Sequence, residues 1–103
     1  MSGVDATPYP AGEQPEETLG ALFARHDLPA NVRLHLCARG LRSVDMWCGL
    51  GDTPAAAVTT IEALCPDLPY PDPARHKLLV QFKFRTIFSG ASCLSKARLI
   101  GAP

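Results

Sequence analysis

Val80-Gln81-Phe82-Lys83-Phe84-Arg85 and Val32-Arg33-Leu34-His35-Leu36 decide the fold. Each alternates apolar and polar residues with period two, the pattern of a half-buried strand. As strands they would pair into a two-stranded sheet within an α+β fold. As helices they leave an all-α chain. Their surroundings favour helices. Pro29 stands before one segment and Asp72–Pro73 before the other, and a proline suits the first helical turn, where its missing N–H has no partner to lose. Neither segment has a hairpin partner beside it. The expectation is all-α, with the two-stranded α+β arrangement as the alternative.

Outward from these segments, helical signals recur. Leu19, Leu22, Phe23 and His26 fall at helical spacing behind Glu16 and Glu17, whose charges suit a first turn. This predicts a helix over 16–26. Pro29 opens a second, 29–39, closed by Gly40 in the left-handed position. Ser43 caps a short helix over 43–48. Thr53–Pro54 opens a fourth, with Ala57, Val58, Ile61, Leu64 and Cys65 on one apolar face and Thr60, Glu62 and Ala63 turned away. Pro66, Pro69, Pro71 and Pro73 around Tyr70 make an extended connector. A fifth helix then starts at Asp72–Pro73, with Leu78, Leu79, Phe82, Ile87 and Phe88 expected inward. Ser89–Gly90 predicts a break before a short last stretch through Leu94, Ala97 and Arg98. Residues 1–15, with Pro8, Pro10 and Pro15, read as an extended tail, and 16–103 as one helical domain.

The composition agrees with one small domain. The chain has 103 residues, 47% of them apolar, with 10 Lys+Arg against 10 Asp+Glu. A chain of this length buries roughly two-thirds of its unfolded surface, enough for one core. Zero net charge argues against an unspecific polyanion binder. No stretch approaches the length of a membrane span, and the first residues lack the basic and apolar regions of a signal peptide, so an intracellular, reducing location is expected. Cys37, Cys48, Cys65 and Cys93 form no C-x-x-C pair. They read as free thiols that pack as small apolar residues. No metal or cofactor site is expected.

The charge is unevenly spread. Residues 1–19 carry Asp5, Glu13, Glu16 and Glu17 and no base; residues 73–103 carry Arg75, Lys77, Lys83, Arg85, Lys96 and Arg98 and no acid. That surface is either a solvated helix face paired with the acidic tail, or one that meets an acidic partner or a phosphate backbone. Lys77, Lys83 and Arg85 do not share one i, i+4 spacing.

Gly49-Leu50-Gly51-Asp52-Thr53-Pro54-Ala55-Ala56-Ala57-Val58 is the most specific local pattern. It resembles the helix-hairpin-helix motif, which reads Gly-apolar-Gly, three residues, Ala, then an apolar residue three later. Gly49, Leu50, Gly51, Ala55 and Val58 match. The resemblance implies a tight glycine turn, Leu50 anchoring it, Ala55 letting two helices cross closely, and helix-start amides able to take an anion. The chain departs from the nucleic-acid-binding form at Asp52-Thr53-Pro54, where such hairpins carry Lys or Arg. More widely, residues ~18–100 resemble the SAM-like group of five-helix domains, which includes helix-hairpin-helix domains and sterile-alpha-motif modules. Leu28-Pro29, Leu36, Gly40-Leu41, Ser43-Val44, Trp47, Leu50, Thr53–Pro54, Val58, Ile61 and a basic C-terminal helix carry that likeness. It implies a fold and leaves function open.

No catalytic motif is present: no G-x-S-x-G, no H-E-x-x-H, no Walker loop. His26, His35 and His76 stand alone. Trp47 reads first as core and second as an exposed interface anchor. The expected role is a non-enzymatic protein–protein interaction module, or a small structural subunit of a larger assembly. The alternative is a nucleic-acid binder using the hairpin amides and the basic C-terminal segment. The candidate contact residues are Trp47, Gly49, Leu50, Gly51, Arg75, Lys77, Lys83 and Arg85. A protein-binding surface predicts an exposed apolar patch near Trp47 or Phe82–Phe88. A nucleic-acid surface predicts the four bases gathered beside the hairpin.

Overall fold

Both alternating segments are helical. The computed structural model describes residues 9–70 and 74–101, with the side chains of 76–97 in the second stretch. Its elements are α1 (Glu17–Arg25), α2 (Ala30–Ala38), α3 (Val44–Cys48), α4 (Pro54–Leu64) and α5 (Ala74–Gly101). Among the described residues there is no strand, so the fold is all-α and the α+β alternative falls. The Asp72–Pro73 start and the first eight residues of the tail lie outside the described residues.

Local chemistry explains most helix ends. Ser43 Oγ accepts the Met46 N–H (3.1 Å) and Thr53 Oγ1 the Ala56 N–H (3.1 Å), as their sequence positions predict. Gly40 takes φ +94° after α2, with Leu41 N–H donating to Leu36 O and Gly40 N–H to Cys37 O. The end of α1 repeats that pattern with a non-glycine: Asp27 has φ +52°, and Leu28 N–H donates to Phe23 O. Both ends are Schellman turns, each followed by a buried leucine, Leu28 or Leu41.

The fifth helix departs from expectation in two ways. It runs unbroken through Ser89–Gly90. Interior glycine weakens a helix by about 1 kcal/mol relative to alanine, but here its bareness has a tertiary use. A Cβ on Gly90 would stand 2.9 Å from Leu22 Cδ2 of α1, so the missing side chain lets α1 lie close. Second, Leu78, Leu79 and Phe82 point out, not in. Val80, Phe84, Ile87, Phe88 and Ala91 form the buried stripe instead. Residues two apart on a helix differ by about 200°, so a core at 80 and 84 forces 78 and 82 to the far side. Leu64, expected on the buried face of α4, is likewise exposed; it lies at the flank of the stripe made by Ala57, Val58, Ile61 and Cys65.

Rings run through the core in series. Trp47 meets Phe23 edge-on (5.8 Å between centroids) and Phe84 at a tilt (6.2 Å), and Phe84 meets Tyr70 (6.5 Å). This series ties α1, α3, α5 and the proline connector together, each pair adding about 0.5–1.5 kcal/mol beyond burial. The described part of the tail is also held. Tyr9 packs on the core cluster, Glu13 N–H donates to Pro10 O, and the Arg42 guanidinium donates to Gly12 O.

Candidate functional site

The hairpin is built tightly, by some of the residues the motif implies and not by others. Gly49 ends α3 with ordinary helical angles (φ −76°, ψ −4°), so no glycine is required there. Gly51 is required: a Cβ on it would stand 2.8 Å from Ala56 Cβ and 3.2 Å from the Ala56 carbonyl carbon. The close approach is therefore Gly51 to Ala56, while Ala55 is exposed and crosses nothing. Leu50 is buried as expected, and its carbonyl accepts the Thr60 hydroxyl (2.6 Å).

Part of the hairpin's donor set is already used within the fold. Gly49, Leu50 and Ala57 N–H donate to Asp45, Trp47 and Thr53 carbonyls. Ala56 N–H goes to Thr53 Oγ1, Pro54 has no N–H, and the exposed Asp52 adds negative charge beside them.

The basic residues of α5 are dispersed. Lys77 turns toward α4, its Nζ 3.9 Å from Glu62 Oε2 and 5.1 Å from the centre of the Tyr70 ring. Lys83 turns the other way, donating to Asp27 O at the end of α1 (2.9 Å). Arg85 lies over the Phe82 ring, 5.9 Å from its centre. Arg75 is in α5, but its side chain, like that of Arg98, lies outside the described residues. No single basic stripe forms among the described residues.

Trp47 is fully buried, its Nε1–H donating to Leu41 O (3.4 Å). Of the candidate anchors it is therefore core and cannot meet a partner. The exposed apolar patch stands elsewhere, on the outer face of α5. Leu78 is 59%, Leu79 53% and Phe82 60% exposed. Leu78 and Leu79 sit one turn before Phe82, at i−4 and i−3, so the three side chains are neighbours. Of the Phe82–Phe88 run, Phe84, Ile87 and Phe88 are buried, so Phe82 alone belongs to the patch. The period-two alternation held this signal: a helix apolar at 78, 80, 82 and 84 must be apolar on two opposite faces.

Comparisons with protein-family models, with curated proteins and with solved structures each gave no match.

Several other polar groups bond within the fold. Glu62 Oε2 accepts from Gln81 Nε2 (2.8 Å) and from the Tyr70 hydroxyl (3.4 Å). Burial, reinforced by the Glu62 charge, pushes the Tyr70 hydroxyl up to about 12. Arg33, read in sequence as a polar residue between apolar ones, is buried and donates through Nε to Leu28 O (2.6 Å). Burial, and then Arg25, lower the pKa of His26 at the end of α1. Cys37 and Cys65 are buried as expected, but Cys48 is half-buried and Cys93 exposed. Among the described residues no three His, Cys, Asp or Glu side chains gather to hold a metal, and no helix is long and apolar enough to cross a membrane.

Proposed function

We propose that this protein is a non-enzymatic protein–protein interaction module, or a small subunit of a larger assembly, of SAM-like helical build, and that the outer face of α5 is its contact surface. The observation that carries the reading is the cluster of Leu78, Leu79 and Phe82, each more than half exposed on one helix face. An exposed apolar cluster of this kind is unfavourable in water and is a common mark of a binding surface. Phenylalanine at such a position, backed by Arg85, has the character of an interface anchor. The tight Gly51–Ala56 hairpin acts in this reading as a structural clasp between α3 and α4.

The second reading, nucleic-acid binding, draws on the excess of base in residues 73–103. Against it stand the hairpin amides already bonded within the fold, the exposed Asp52, and the engagement of Lys77 by Glu62 and of Lys83 by Asp27 O. Binding to DNA at ~150 mM salt is then expected no tighter than the non-specific range, about 10⁻⁴–10⁻⁶ M.

The test is native co-purification of wild type beside Phe82→Asp, both with and without nuclease. A stoichiometric protein partner that survives nuclease and is lost with Phe82→Asp supports the interaction module. A sub-micromolar, salt-dependent DNA or RNA complex lost on changing Lys83 and Arg85 to glutamine overturns it.

A further inference from the structure

The contact face continues beyond its apolar part. Phe82, Arg85, Ser89, Cys93 and Lys96 follow at steps of three and four residues, so they stay on one side of α5. All five are exposed. The turn that holds Leu78, Leu79 and Phe82 is apolar, and the stretch after it carries two exposed cations. Arg85 touches the Phe82 ring, and Lys96 stands eleven residues further on, about 16 Å along the axis. The segment 74–101 contains no acid at all, so nothing within α5 neutralises either cation.

Resting on the interaction reading above, we infer that this face docks a partner helix that is both apolar and acidic: leucine-like side chains against Leu78, Leu79 and Phe82, and carboxylates against Arg85 and Lys96. Charge complementarity selects that occupant. A second copy of α5 laid parallel and in register would bring cations to cations, and in either direction α5 offers no carboxylate to Arg85 or Lys96; like charges set opposite each other in an interface are strongly disfavoured. A lipid surface is matched poorly as well. It calls for lysines flanking the apolar cluster and reaching past it to the headgroups, whereas Lys77 and Lys83 turn back to Glu62 and to Asp27 O. The span from Leu78 to Lys96 is eighteen residues, so the partner helix needs about 27 Å, or five turns, to cover it.

The experiment uses the full chain and two labelled eighteen-residue helical peptides. One has leucines on a single face with glutamates flanking them; in the other every glutamate is lysine. Fluorescence anisotropy is read at low and high salt. The glutamate peptide is expected to bind at least about tenfold tighter than the lysine peptide, to weaken as salt rises, and to be lost on Phe82→Asp. The double change Arg85→Glu with Lys96→Glu should invert the preference. Circular dichroism of each variant should match wild type, because all three positions are exposed. Equal binding of both peptides, still lost with Phe82→Asp, overturns the acidic partner and leaves the interaction reading standing. Binding of neither peptide overturns the inference; if Phe82→Asp then also leaves native co-purification unchanged, the interaction reading falls with it. A dimer in sedimentation that Phe82→Asp dissolves, or binding to phosphatidylserine vesicles in preference to the glutamate peptide, overturns it in favour of a second copy or a membrane.

Discussion

Glu16 Oε1 accepts the backbone N–H of Val44 at 2.6 Å, across twenty-eight residues of sequence. Glu16 is the residue before α1, but its carboxylate does not cap that helix; it caps α3. Its own N–H donates to Arg42 O (2.8 Å), so backbone and side chain together bind the entry to α1 to the entry to α3. Capping groups of this kind contribute about 0.5–2 kcal/mol. Glu16→Ala should therefore lower stability by about 1 kcal/mol, and Glu16→Gln, which keeps an acceptor oxygen, by less. Urea denaturation at neutral pH checks the order; equal losses for both would deny the cap.

Gly51 and Ala56 make a second pair whose spacing is testable. A methyl at position 51 collides with Ala56 Cβ at 2.8 Å, and overpacking of this sort costs about 1–3 kcal/mol. Gly51→Ala should destabilise by that amount. Ala56→Gly alone loses about 1 kcal/mol of helix propensity, but in that background Gly51→Ala should cost less than it does in wild type, because one of the three nearest atoms is then gone while the backbone contacts at 3.2 Å remain. An equal cost of Gly51→Ala in both backgrounds, read from the full double-mutant cycle, would show that the backbone contacts carry the whole cost.

Gly90→Ala should go the other way. The new methyl meets only the end of the flexible Leu22 side chain (2.9 Å), and Leu22 borders a groove of about 790 Å³ between α1 and α5 into which it can turn. The gain in helix propensity is about 1 kcal/mol. The net should lie between zero and that value on the stabilising side. A melting temperature several degrees below wild type would mean that α1 cannot give way.

Tyr70 sets a limit at high pH. Burial first, and then Glu62, raise its hydroxyl from the ordinary 10.0 to about 12. The folded state thus holds this proton more tightly than the unfolded chain. Its contribution is fully present below pH ~10 and is lost as pH rises from there toward about 12. In Tyr9→Phe, which leaves Tyr70 as the one tyrosine of the chain, absorbance at the phenolate band should rise late, near the alkaline unfolding transition. In Tyr70→Phe the fall in stability across that window should be shallower than in wild type. An early phenolate step in Tyr9→Phe would place Tyr70 in water.

Much of the fold was legible because its signals are local. Ser43, Thr53 and Gly40 act on backbone groups within five residues of themselves, and each does what its chemistry and position imply. Val58 and Ile61 are buried for the reason the helical period gives. The proposed contact surface was legible only in part. The sequence marks Arg85, but helical spacing alone puts Phe82 inside along with Leu78 and Leu79, and all three are exposed. A helix with apolar residues on two faces does not say from its own pattern which face the rest of the chain will cover.

By itself, then, the sequence determined α1 to α4 and the caps of α3 and α4, since capping and periodicity are settled among near neighbours. Only the tertiary structure decided which of two apolar faces of α5 is core, that Gly90 lets α1 in instead of breaking a helix, that Glu16 serves α3, and that Lys77 and Lys83 reach Glu62 and Asp27 while Arg85 stays beside Phe82. Each of those outcomes depends on a group brought close from elsewhere in the chain: Trp47 against Phe84, Leu22 against Gly90, Val44 against Glu16, Asp27 against Lys83. Contacts between distant residues exist only once the helices have packed, so no spacing within one segment could have carried them.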